Sequence, residues 1–123
     1  MGVVNVTPDS FSDGGRHQAP EAAIAQGRHL LAGGADILDL GAESTAPGSS
    51  PIAVEEEQAR LLPVVRGLVG HGRLSIDTYR ARTAETCLAL GAAIVNDVSA
   101  LRADPDLARV VAEHGALLVM MHA

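Results

Sequence analysis

Three times along this chain a run with helical spacing stops at the dipeptide Gly-Ala, and an apolar, β-rich run follows. The sites are Gly34-Ala35, Gly91-Ala92 and Gly115-Ala116. Glycine enters the left-handed conformation that ends a helix without steric cost, so each dipeptide reads as a helix stop placed just ahead of a strand. A recurring helix–stop–strand unit leaves few fold classes open. The intervening helix is the crossover that parallel pairing needs, so the chain reads as α/β with a parallel sheet.

The strand candidates are Gly2–Val6, Asp36–Leu40, Leu74–Ile76, Ala93–Val95 and Ala116–Met121. Apart from the acidic residues of the second, they are close to continuously apolar, as strands covered on both faces are. Between them lie helix candidates at Pro20–Ala32, Val54–Val69 and Ala81–Leu90, and a fourth that opens at Asp104-Pro105 and closes at Gly115. Asp104 followed by Pro105 has the form of an N-cap and a first-turn proline. No linker or low-complexity segment interrupts the pattern, so residues 1–123 read as one domain.

Composition excludes several functions. A net charge of −6 argues against a binder of nucleic-acid backbones, which needs an excess of Lys and Arg. No apolar run reaches the length of a membrane span. Met1-Gly2-Val3-Val4 meets Asn5 and Thr7 before the apolar core of a signal peptide can form, and the expected location is cytoplasmic. With one Phe, one Tyr and no Trp, the core must be built from Ala, Val, Leu and Ile. The single cysteine, Cys87, rules out an intramolecular disulfide, fits a reducing compartment and reads as a small core residue. The five histidines show no zinc-ligand spacing. Glu55-Glu56-Glu57 reads as a solvated first helical turn that favours the helix dipole.

Each apolar run ends in polar residues. The first ends in Asn5-Val6-Thr7, the second runs through Asp39 to Glu43-Ser44-Thr45, the third ends in Asp77-Thr78, the fourth in Asn96-Asp97 and the fifth in His122. One such end is explained by helix capping or a turn. Five in succession point to the edge of a parallel sheet where ligands bind. Two polar loops follow the first two strands, Asn5–Gly15 and Glu43–Ser50, and the first of them displays the only Phe, Phe11. Asp39 is a candidate either for the pocket wall or for a structural hydrogen bond.

Taken together, Asn5–Gly15, Glu43-Ser44-Thr45 with Pro47-Gly48, Ser75–Tyr79, Ile94–Ser99 and Met121-His122 resemble the signature motifs of the dihydropteroate synthases over essentially the whole chain. The resemblance implies a (β/α)8 TIM-type barrel, of which this chain supplies about the first five strands and four helices, truncated after strand five. It implies a transferase of folate biosynthesis that condenses p-aminobenzoate with 6-hydroxymethyl-7,8-dihydropterin pyrophosphate and releases pyrophosphate with help from Mg²⁺. By position, Asn5 would bind the Mg²⁺–pyrophosphate end. Asp77 and Asn96 would hydrogen-bond the pterin, with Val98 and Met121 as apolar walls. Thr45 and the loop residues Asp9, Phe11, Asp13 and Pro47 would close over the leaving group and the aminobenzoate. Members of the family are commonly homodimeric.

Two departures stand out. The family's Ser-Thr-Arg-Pro-Gly is here Ser44-Thr45-Ala46-Pro47-Gly48, which removes a cation from the loop. The family's later pterin-binding Asp, its Lys and its terminal Arg–His pair match nothing in these 123 residues. The isolated chain is therefore expected to be inactive and marginally folded. The alternatives are a non-catalytic pterin-binding module and a five-stranded doubly wound nucleotide binder; Gly14-Gly15 is a poor phosphate loop for the latter.

Overall fold

The computed structural model describes residues 1–6, 19–42, 52–97 and 104–120. Five strands alternate with four helices: β1 (Gly2–Asn5), α1 (Ala19–Ala32), β2 (Ile37–Gly41), α2 (Val54–Leu68), β3 (Arg73–Asp77), α3 (Ala81–Ala89), β4 (Ile94–Asp97), α4 (Leu107–Glu113) and β5 (Leu117–Met120). The sequence bounds hold within a few residues. The main shift is at the polar ends: Asp77 and Asn96 belong to their strands, whereas Asp36 lies outside β2 and is exposed.

The three Gly-Ala stops share one geometry. Gly34, Gly91 and Gly115 all have positive φ. The glycine N–H donates to the carbonyl three residues back (Leu31, Leu88 and Ala112, each at 3.1 Å), and the following alanine N–H donates to the carbonyl five back (Leu30, Cys87 and Val111, at 3.0–3.1 Å). Nested bonds of this kind satisfy the last orphan carbonyls and turn the chain toward the next strand. The N-cap of α4 is Asp106, which makes no side-chain capping bond, and not Asp104 as the sequence suggests; Asp104 instead links the approach to α4 with the start of α3. Its Oδ1 accepts from the Asp106 N–H at 3.1 Å ahead of α4, and its Oδ2 accepts from the Ala81 N–H at 2.8 Å in the first turn of α3.

All pairings are parallel, and the strand order is β1-β2-β3-β4-β5. Each strand lies next to its predecessor and the order never reverses. A doubly wound nucleotide-binding sheet needs such a reversal, so that alternative is excluded. With right-handed crossovers, an unreversed order puts every helix on one face of the sheet.

Burial along the strands agrees. Val4, Leu38, Leu40, Leu74, Ile76 and Val95 point one way and are buried, together with Leu61, Val64, Val65 and Leu68 of α2, Cys87 of α3 and Leu107 and Val110 of α4. Each fully buried Leu, Ile or Val of this layer stabilises the fold by about 1.5–3 kcal/mol relative to exposure. The alternate residues point to the other face. At its two edges Val3 is 54% and Leu117 62% exposed. Among the described residues no helix is long and apolar enough to cross a membrane.

Candidate functional site

The parallel register arranges the face away from the helices into rows. One row reads Val3, Asp39, Ser75, Ile94, Leu117; the next, toward the strand ends, reads Asn5, Gly41, Asp77, Asn96, Val119. Register partners in a parallel sheet project to the same side, and neighbouring strands lie about 4.8 Å apart. Asn5, Asp77 and Asn96 therefore stand in one line, with Asp77 and Asn96 adjacent and Asn5 about 10 Å from Asp77 by two strand spacings. Thr45, Val98, Met121, Asp9, Phe11, Asp13 and Pro47, like Ala46 and His122, lie outside the described residues.

Two members of this face carry signals invisible in the sequence. Gly41 sits between Asn5 and Asp77, and a Cβ placed there would lie 3.2 Å from Asp77 Oδ2 and 3.3 Å from its Cβ. The missing side chain makes room for the Asp77 carboxylate. Asn96 Oδ1 is buried and accepts no hydrogen bond, alone in this among the described buried side-chain N and O atoms. A buried acceptor left without a donor costs about 1–3 kcal/mol, so the site retains a cost that a donor from outside the chain would offset.

Below the row, Ser75 Oγ donates to Asp39 Oδ1 at 2.8 Å, and both residues are buried. Of the two readings of Asp39, the structural hydrogen bond is therefore present, and it forms a polar floor one layer beneath Asp77. Asp97 is fully buried but is the register partner of Met120, on the opposite side from Asn96, and so belongs to the helix-covered layer.

Glu57 overturns the solvated-turn reading. Glu55 and Glu56 are exposed, but Glu57 is only 1% exposed. It lies four residues before Leu61 and seven before Val64, on the inward stripe of α2. Its Oε2 accepts from Thr78 Oγ1 at 2.9 Å; its Oε1 accepts from Thr83 Oγ1 at 2.6 Å and from Arg80 Nη1 at 3.1 Å. Arg80 also donates to the Ile52 carbonyl and to Tyr79 Oη at 3.0 Å, with its Cζ 4.8 Å from the Tyr79 ring centre. One turn further along α2, Arg60 Nη1 donates to the Ala42 carbonyl at 2.9 Å, just beyond β2. Sequence reasoning passed over Arg60 and Arg80, which fasten the ends of β2 and β3 to α2.

Cys87 is buried, as expected of a core residue. Burial, and secondarily the negative charge of Glu57, push its thiol up to about 12. No described group of three His, Cys, Asp or Glu side chains is arranged to hold a metal ion.

A model of the pterin binding enzyme family matches residues 1–123. The chain is 46% identical to the dihydropteroate synthase of Staphylococcus haemolyticus over 123 residues, covering 99% of this chain and 46% of that protein. It superimposes with a TM-score of 0.93 on a Clostridium difficile dihydropteroate synthase crystallised in the presence of pteroic acid, at 46% identity, covering 99% of this chain and 47% of that one. A Xanthomonas albilineans dihydropteroate synthase with 4-aminobenzoic acid gives a TM-score of 0.91 at 48% identity, with 99% and 45% covered. The chain spans about half the length of the relatives it matches.

Proposed function

This chain belongs to the pterin binding enzyme family, and we propose that it supplies the pterin-reading part of a dihydropteroate synthase site. Its five strands and four helices are then the first part of the (β/α)8 barrel that the sequence resemblance implies. The proposed reaction joins p-aminobenzoate to 6-hydroxymethyl-7,8-dihydropterin pyrophosphate. What supports it is the similarity to enzymes crystallised with pteroic acid and with 4-aminobenzoic acid.

The observation that carries the site is the unpartnered Asn96 Oδ1 beside Asp77. A pterin edge presents adjacent ring N–H and amino donors along with acceptors. The carboxylate of Asp77 takes two such donors, and the Asn96 amide both accepts and donates. The pair thus reads a fused heterocycle edge-on, above the Asp39–Ser75 floor.

Asn5, two strands away, faces the pyrophosphate end of such a substrate. Mg²⁺ is usually held by one or two protein oxygens and by substrate phosphates, and a lone amide oxygen at Asn5 fits that habit. When bound, the ion would neutralise charge developing on the departing pyrophosphate. Asn5 would orient it, while Asp77 and Asn96 hold the ring fixed for displacement at the methylene carbon. Thr45, Asp9, Phe11, Asp13 and Pro47 remain the proposed loop contacts, with Val98 and Met121 as walls of the ring pocket.

Titration with 6-hydroxymethylpterin, alongside an assay for pteroate formed from p-aminobenzoate and the pterin pyrophosphate, tests this. The unsubstituted chain should bind the pterin, and Asp77→Asn should weaken binding by about 1–3 kcal/mol, or roughly 5- to 150-fold, with little change in melting. Equal binding by both proteins, or none by either, would overturn the proposal. Pterin binding without pteroate formation is the result expected of a chain that supplies the pterin-reading part alone.

A further inference from the structure

Glu57 occupies a place that the pterin site does not by itself require. It is a carboxylate on α2, buried behind the sheet, and three donors from a single stretch of chain converge on it. Thr78, Arg80 and Thr83 span the turn from β3 into α3. Burying a carboxylate is costly unless it is paired and fully hydrogen-bonded, so the cluster invites the question of what it holds.

The link is Thr78. It directly follows Asp77, is itself buried, and makes three bonds that diverge from one residue. Its hydroxyl donates to Glu57 at 2.9 Å and accepts from the Arg80 N–H at 3.2 Å; its backbone N–H donates to the carbonyl of Asn96 at 3.2 Å. One residue therefore ties the end of β3 to the end of β4, next to the pair whose side chains form the candidate ring-binding edge. Glu57 in turn fixes Thr78 from behind, with Arg80 as the countercharge. Arg60, on the same helix, fixes the β2 end through Ala42, immediately after Gly41.

We propose that Glu57 is a positioning residue, which acts through Thr78 to hold Asp77 and Asn96 at the spacing that reads the pterin edge; this rests on the pterin site proposed above. Displacements of well under an ångström misalign paired hydrogen bonds, so a site of this type depends on the groups that hold its ligands. Glu57 touches no ligand in this scheme. It sets the relative position of two residues that do.

The test compares the two threonines on Glu57. Thr78→Val and Thr83→Val each remove one hydroxyl donor from the same carboxylate; Thr78→Val also removes the acceptor of the Arg80 N–H, so it should cost more stability in urea, by about one further hydrogen bond. Only Thr78 also bonds the strand that carries Asn96. Thr78→Val should raise the Kd for 6-hydroxymethylpterin about tenfold, Thr83→Val less than about twofold, and Thr78→Ser should restore the unsubstituted value. Equal weakening by both valine variants would reduce Glu57 to a purely structural role and overturn the proposal, as would unchanged binding in Thr78→Val. Asp77→Asn separates the two levels. Weakened binding there with unchanged binding in Thr78→Val sinks the positioning role alone, whereas unchanged binding in both sinks the pterin site with it. If Thr78→Val does not fold, amide exchange in the unsubstituted protein reads the same coupling, because binding and positioning are reciprocal. Added pterin should slow exchange of the Thr78 N–H at least fivefold more than that of the Ala84 N–H, which bonds Arg80 inside α3. Equal slowing would contradict the proposal.

Discussion

The two faces of the sheet are made by alternate residues of the same five strands, yet they obey different rules. Toward the helices, Val4, Leu38, Leu40, Leu74, Ile76 and Val95 are interchangeable in kind: each contributes by the area it removes from water. On the other face, Asn5, Gly41, Asp77 and Asn96 are not interchangeable, because each position presents a particular donor, acceptor or gap. The first face makes the fold and the second carries the candidate site. A shift of one residue in register would exchange them, so the strand ends are fastened from the helix side by Glu57, Arg60 and Arg80.

This division can be broken most forcefully from the helix side. Ile76→Ala, next to Asp77 but pointing to the other face, should cost about 2–5 kcal/mol of stability through lost contacts and a cavity. Pterin affinity of the fraction that remains folded should stay within about twofold of the original, since hydrogen-bond donors and acceptors on the site face are untouched. A denaturant melt with a parallel pterin titration reads both quantities. A loss of affinity without a loss of stability would show that the faces are not separable.

A smaller effect on the same side concerns Cys87. Its thiol is pushed up to about 12 by burial and by the nearby charge of Glu57, above the ordinary value of 9.0. A raised folded-state pKa means that the folded protein holds its proton longer than the unfolded chain does. The associated stability is fully present below about pH 9 and is lost as pH rises toward 12. Urea midpoints should accordingly fall between pH 8 and pH 11 by more in the unsubstituted chain than in Cys87→Ala. Identical falls in the two proteins would place Cys87 outside the buried layer.

Much of this was legible in the residues. The Gly-Ala stops announced the helix–strand unit, and polar residues closing apolar runs pointed to the row that holds Asn5, Asp77 and Asn96. Glu57 was misread because Glu55-Glu56-Glu57 is uniform in composition, and only the phase of the helix tells its members apart. That phase was present in the spacing to Leu61, Val64, Val65 and Leu68, which places Glu57 on the buried stripe. Gly41 could not be found by pattern. Its meaning depends on which residue of β3 lies beside it, and pairing register is a tertiary fact. Arg60 and Arg80 were hidden for a related reason, since both bond to backbone carbonyls, which carry no trace in the sequence.

Asn96 is where the two faces are most sharply opposed, because its buried Oδ1 has no hydrogen-bond partner, at a cost to the fold that a bound donor would offset. The most direct measurement is therefore Asn96→Leu, followed by a denaturant melt and by titration with 6-hydroxymethylpterin. If the row of strand ends is a pterin-reading site, stability should hold or rise by about 1 kcal/mol while pterin affinity falls at least roughly tenfold. A protein that is destabilised and binds pterin as before would contradict the assignment of this face to the ligand.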